Sequence, residues 1–215
     1  MREARTVPSG TGLPGSRSGA PAVVSSGADD GRLMALVASG DADAFRQIVA
    51  RHLPKVVAVA RRMLGSAADA DDVAQEALLR LWRHAERVEV GPNGLGAWLY
   101  RVTTNLALDR IRGRRQEDPD ALETMSVAGD QERSLEQADL ARRVEQELQA
   151  LPERQRAALV LCHYEGLSMT AAGGILGVSE EAIESLLARG RRALRAALAD
   201  EWRQLLPAGS DGGSG

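Results

Sequence analysis

Apolar residues recur at spacings of three and four along most of this chain, which is the period of a helix with one buried face. Leu33, Leu36 and Val37 open the pattern, and Phe45, Ile48 and Val49 continue it. A further stretch from Leu53 to Leu64 ends at Gly65. Residues 68–85 then set Val73, Ala77, Leu78, Leu81 and Trp82 on one side and Asp72, Gln75, Glu76 and Arg83 largely on the other. One face of that helix is predicted to pack and the other to point outward. A Gly- and Pro-bearing loop through Gly91, Pro92, Asn93, Gly94 and Gly96 precedes a helix over about residues 97–112.

In that helix a step of about 100° per residue gathers Leu95, Leu99, Val102 and Leu106 into a buried stripe. Arg101, Asn105 and Arg112 cluster on the far side, and Arg114 and Arg115 extend the basic run. Arginine pairs with phosphates or bases, and asparagine both donates to and accepts from a base edge. At this level two readings stay open: a nucleic-acid face, or a solvated helix face.

A second helical block runs over residues 137–206. Leu140 to Leu151 leads to Pro152, read as the first residue of a helix, where a missing N–H costs nothing. That helix extends to about Tyr164 and stops at Gly166. Ser168 is suited to cap a short helix, Met169 to Leu176, with Gly177 closing it. Ser179 caps a longer helix from Glu180 to about Leu198. Helix, tight turn and longer helix form a helix-turn-helix pattern. Ile183, Leu187, Gly190 and Leu194 face inward; Glu181, Ser185, Ala188, Arg192 and Arg195 face outward, with Arg189 at the margin. An ordinary helical hairpin would show the same periodicity, so DNA binding and simple packing are both open here.

The fold class predicted is all-α: two small helical domains over residues 29–115 and 137–206, joined by a flexible acidic linker over 116–136. The Gly-, Ser- and Pro-rich residues 1–28 and the Gly-rich residues 207–215 read as disordered tails. Aromatic residues are only 3% of the chain, which disfavours strands. A net charge of −3 taken alone argues against a nucleic-acid partner, but the charge is segregated. Residues 98–115 carry five arginines and one acid, whereas residues 116–150 carry ten acids and three arginines.

Other chemistries find little support. Asp71 and Asp72 are helix neighbours and point about 100° apart, so they do not converge on one atom as paired carboxylates must. Cys162 and His163 stand far from His52 and His84, without zinc-ligand spacing; Cys162 reads as a small core residue. No phosphate-binding Gly-rich loop and no nucleophile motif occurs. The expectation is a protein that is not an enzyme and needs no cofactor or metal. No apolar run approaches the roughly 20 residues of a membrane span, and no signal-peptide core opens the chain. A cytoplasmic protein without membrane insertion is expected.

Several motifs, in order and across almost all of residues 29–200, resemble the extracytoplasmic-function group of sigma factors. Asp41-Ala-Asp-Ala-Phe45 is similar to the opening of the family's region 2, and Asp71-Asp72-Val-Ala-Gln75-Glu76-Ala-Leu-Leu-Arg-Leu-Trp82 to its polymerase-binding helix. Ala97-Trp98-Leu-Tyr-Arg101-Val-Thr-Thr-Asn105 through Arg112 resembles the helix that reads the minus-ten promoter element. Leu151-Pro152-Glu153-Arg154-Gln155-Arg156 and Tyr164-Glu165-Gly166-Leu167-Ser168 resemble region 4, whose helix-turn-helix reads the minus-thirty-five element.

The resemblance implies an alternative sigma factor that binds core RNA polymerase, through its β′ and β subunits, and directs it to promoter DNA. It assigns polymerase binding to Asp71, Asp72, Gln75 and Glu76. Minus-ten binding falls to Arg101, Asn105, Arg112, Arg114 and Arg115, with a base-capturing loop at about 89–96. Minus-thirty-five binding falls to Glu181, Ser185, Arg189, Arg192 and Arg195. Members are commonly restrained by an anti-sigma factor that clamps the two domains. This chain departs from many relatives at Glu184 and Leu186, where basic residues are usual, and in having Gly173-Gly174 inside a helix. The competing readings are a stand-alone helix-turn-helix regulator and a helical interaction protein that does not bind DNA.

Overall fold

The computed structural model describes residues 26–88, 90, 94–117 and 135–199, which form eight α-helices. Helices α1 (Ser26–Ala38), α2 (Ala42–Leu64), α3 (Ala67–Arg83) and α4 (Gly94–Glu117) make the first block. Helices α5 (Leu135–Ala150), α6 (Glu153–Leu159), α7 (Met169–Leu176) and α8 (Glu180–Ala197) make the second. The expected tails and linker lie outside the described residues except at their edges. There, α1 begins at Ser26, α4 runs on to Glu117 and α5 starts at Leu135.

Helix α2 joins two stretches that the apolar pattern separates. Asp41 caps it by accepting from the amides of Asp43 and Ala44, at 2.8 and 3.0 Å. Ala44, Ile48, His52, Val56, Val59, Ala60 and Met63 form one continuous buried stripe through the junction. Pro54, an exposed residue, is carried inside the helix because that stripe is unbroken on both sides of it. Gly65 ends α2 with φ of +69°, a left-handed conformation that glycine adopts without a Cβ penalty.

Asp30 fastens α1 to α2. Its carboxylate is buried and meets His52 Nε2 at 2.9 Å and Arg51 Nη1 at 2.5 Å, so the buried charge is paired from two sides.

The helix-turn-helix forms as the capping residues predict. Ser168 accepts from the Ala171 amide at 3.1 Å, Gly177 takes a φ of +64°, and Ser179 accepts from the Ala182 amide at 3.3 Å. Gly173 has a packing reason: a Cβ there would lie 2.8 Å from the Val178 carbonyl oxygen, so only glycine lets the turn fold back this closely. Gly174 faces open space, and nothing in the structure explains it. Gly190 admits Leu159, whose Cδ1 would lie 2.8 Å from an added Cβ, and thereby seats α8 on α6.

Three local expectations change. Pro152 stands at the N-cap of α6, one residue before the first helical position, and its carbonyl accepts from Gln155 and Arg156. Residues 160–164 leave the α-helical pattern for one wider π turn that ends before Gly166. Helix α4 starts at Gly94, so the end of the expected loop is already its first turn.

The two blocks share a core. Val59, Ala60, Met63 and Leu64 of α2 and Ala107, Leu108 and Ile111 of α4 belong to the same buried cluster as Leu161, Ala172 and Ile175. A second cluster, with Ile48, Leu81, Leu95 and Leu99, lies wholly within the first block. Helix α4 is therefore covered on two sides. Leu95 and Leu99 are fully buried as predicted, while Val102 and Leu106 are only half-buried, because Thr103, Thr104, Ala107, Leu108 and Ile111 take the most enclosed positions.

Candidate polymerase and nucleic-acid interface

Helix α3 presents the first candidate surface. Ser66 caps it and Ala70, Val73, Ala74, Ala77, Leu78 and Leu81 bury its inner face. Asp71, Asp72 and Gln75 are exposed and Glu76 is half-exposed. Spacing of four divides them into two rows. Asp71 and Gln75 border an apolar groove between α2 and α3, of about 410 Å³, floored by Phe45, Val49, Leu53, Val57, Leu78 and Leu79. Asp72 and Glu76 turn instead toward arginines: Asp72 meets Arg110 at 3.1 Å and Glu76 meets Arg80 at 2.8 Å. The Arg80 hydrogen bond holds the Glu76 carboxyl below its ordinary value. Trp82, expected on the packed face, is exposed instead; its ring rests 4.9 Å from that of Phe45. The groove escapes a sequence reading because its walls come from two helices, Phe45 to Val57 of α2 and Asp71 to Leu79 of α3, that meet only in the fold.

Helix α4 presents the second surface. Arg101, Asn105 and Arg112 are all exposed and share one face. Arg114 belongs elsewhere, about half a turn away together with Arg110. Both reach α3, where Arg110 Nη2 meets Asp69 Oδ1 at 2.6 Å and Arg114 pairs with Asp69 Oδ2. Burial alone would raise the Asp69 carboxyl. The Ser66 hydroxyl and the two guanidiniums outweigh it and lower the pKa to about 2. Arg112 also has acidic company, Asp109 at 3.6 Å and Glu153 of the second block at 3.4 Å. The side chain of Arg115 and residues 89 and 91–93 of the loop lie outside the described residues.

The third surface is α8. Ile183, Leu187 and Gly190 are buried and Leu194 half-buried, so Glu181, Ser185, Ala188, Arg192 and Arg195 stand outward as predicted, with Arg189 exposed beside them. Glu180 accepts from the Thr170 hydroxyl at 2.6 Å and ties α8 to α7. Glu181 sits in the first turn, where its own amide and the Ser179 hydroxyl lower its pKa. Arg192 and Arg195 have no ion-pair partner among the described residues.

These surfaces coincide with two family models. Residues 48–117 match sigma-70 region 2, and residues 141–194 match sigma-70 region 4. The ECF RNA polymerase sigma factor SigW of Bacillus subtilis is 32% identical over 179 residues, covering 76% of this chain and 94% of its own length. The chain belongs to the ECF sigma factors. SigM of Mycobacterium tuberculosis is 33% identical over 165 residues, which span 77% of this ECF sigma factor and 82% of SigM.

Solved structures agree. CnrH in complex with the cytosolic domain of CnrY is 30% identical with a TM-score of 0.61, covering 80% of this chain and 99% of that one. The sigma factor RpoE of Bartonella quintana, in complex with the anti-sigma factor NepR, is 25% identical with the same TM-score, covering 72% and 96%. As an alternative sigma factor the protein directs transcription initiation. Sequence reasoning identified this family from its motifs, but missed the shared core between regions and the division of α4 into two basic faces. No helix among the described residues is long and apolar enough to cross a membrane.

Proposed function

We propose that this ECF sigma factor docks on core RNA polymerase, on its β′ and β subunits, through the outward row of α3 and the groove beside it. The groove carries this reading: an open apolar channel rimmed by Asp71 and Gln75 combines area for burial with polar groups for orientation. Asp72 and Glu76 border the same surface and fix the arginines behind it.

Arg101, Asn105 and Arg112 then track and read the melted minus-ten strand, with Arg114 and Arg115 continuing the basic path along the backbone. The loop at 89–96 captures an unpaired base. Glu181, Ser185, Arg189, Arg192 and Arg195 face the duplex at the minus-thirty-five element. The protein works in the cytoplasm, carries out no catalysis and needs no cofactor. It is restrained by an anti-sigma factor, a reading supported by the partner bound to the Bartonella quintana relative.

The test is promoter-specific transcription by core polymerase with and without the protein. Specific initiation on addition is expected; tight binding to duplex DNA with no initiation on any promoter would favour a stand-alone regulator. Replacing Asp71 and Gln75 with alanine should weaken core binding, and Arg112→Ala should weaken open-complex formation more than core binding. Equal loss of both for Arg112→Ala would contradict the assigned face.

A further inference from the structure

We propose that Glu184 sets the specificity of region 4, accepting a hydrogen bond from the amino group of a cytosine in the major groove of the upstream promoter element. This role rests on the reading above of α8 as the helix that faces the minus-thirty-five duplex. Three carboxylates stand in the first two turns of α8, and the fold accounts for two of them. Glu180 accepts from the Thr170 hydroxyl at 2.6 Å. Glu181 lies in the first turn, where the Ser179 hydroxyl and its own amide hold it. Glu184 is exposed and has no hydrogen-bond or ion-pair partner among the described residues.

Helix stability does not account for Glu184 either. The helix dipole favours a carboxylate only within about the first turn, and Glu184 comes after it. Helical spacing of three and four sets Glu181 and Glu180 beside it on the preceding turn, and like charges at these spacings weaken a helix. Four residues further on stands Ala188, which offers no cation. The residue is a cost to the isolated helix and has no partner in the fold, so its use lies outside the chain.

Glu184, Ala188, Arg191 and Arg195 follow one another at steps of four, three and four, so they form one stripe, and all four are exposed. From its leading end the stripe offers an acceptor, a methyl group and two cations. The helical rise sets the carboxylate about 10 Å from Arg191 and about 16 Å from Arg195 along the axis, so the arginines can meet phosphates while the leading end meets bases. A carboxylate in the groove has no proton to give. Guanine and thymine show it only acceptors, adenine sets an acceptor beside its amino group, and cytosine shows the amino group alone. Glu184 therefore favours cytosine, and at any other edge it stands as an unpaired negative charge among phosphates, which penalises the wrong sequence.

The experiment is transcription by core polymerase and the full chain from a template library randomised over both promoter elements, each template carrying a barcode within its transcript. The parent should favour one orientation of a C·G pair, at one upstream position, about tenfold over the other three pairs. Glu184→Arg supplies the side chain that reads guanine and should invert the pair at that position. Glu184→Gln supplies the one that reads adenine and should convert it to an A·T pair. Preferences at the other positions should stay as they are. Glu184→Ala should level that position and raise initiation from off-sequence templates about two- to fivefold. Circular dichroism checks that each variant keeps the helical content of the parent.

Folded variants that enrich the same upstream sequence as the parent overturn the role of Glu184. Initiation that depends on the downstream element alone, with no preference at any upstream position, overturns it as well and leaves the sigma function standing. No specific initiation from any template would bring down the promoter reading and the role of Glu184 with it.

Discussion

Regions 2 and 4 both present a helix with an arginine-bearing outer face, yet they hold those arginines differently. In region 2, Arg110 and Arg114 are tied to Asp69 and Asp72, and Arg112 is shared between Asp109 and Glu153. In region 4, Arg192 and Arg195 extend into solvent with no ion-pair partner among the described residues. A phosphate can meet the second set directly. At Arg110, Arg112 and Arg114 it must displace a carboxylate, and the cost of that exchange offsets part of the binding. The difference teaches that a basic run in sequence is not a measure of available charge: α4 looks the more basic helix and offers less of it.

The largest effect should come from the joint between the two regions. Arg156→Met leaves the carbonyls of Met63, Gln149 and Leu151 without their donor, and is expected to destabilise the chain by about 2–4 kcal/mol. The midpoint of urea unfolding reads this loss. An unchanged midpoint would mean that the regions do not depend on one another.

Next in size is a pair of double variants that sets the two arginine groups against each other. Arg192→Ala with Arg195→Ala should leave stability within about 0.5 kcal/mol of the parent. Minus-thirty-five duplex binding should weaken, with the salt slope reduced by about one for each arginine lost. Arg110→Ala with Arg114→Ala should do the reverse, destabilising the α3–α4 contact by about 1 kcal/mol while leaving the salt slope of minus-thirty-five duplex binding unchanged. Calorimetry and duplex titrations at several salt concentrations separate the two patterns; identical behaviour would erase the contrast.

The smallest effect is on acid stability. Asp69 titrates at about 2 in the folded chain against an ordinary 3.8, so the folded state favours its ionised form. Its contribution is complete above pH 3.8 and is lost as pH falls toward 2. Asp69→Asn should flatten the stability-versus-pH curve in that window and leave its shape near neutrality unchanged.

What the sequence made legible was whatever depends on spacing along one helix. The caps at Ser168, Gly177 and Ser179, the inward Ile183 and Leu187 and the outward Arg192 all follow from local chemistry and period, and all stand where predicted. The exposed trio of Arg101, Asn105 and Arg112 is equally a matter of angle. What escaped depends on elements distant in the chain. Nothing near Arg114 announces that Asp69, 45 residues earlier, will neutralise it. Nothing near Arg156 announces that it will reach the carbonyl of Met63, 93 residues away. Trp82 misled because an aromatic on an apolar stripe is usually covered, whereas here it stays exposed beside Phe45.

Arg156 and Gln149 each donate to a main-chain oxygen of region 2, those of Met63 and Arg62. Their hold is therefore indifferent to which side chains occupy positions 62 and 63, and asks of its receptor a free helix end followed by a residue as small as Gly65. In a chimaera that grafts this region 4 onto another region 2, the polar part of the joint should travel with the graft wherever such an end is offered. The contacts of Arg62 with Tyr164 and Glu165, which need one particular side chain, should not.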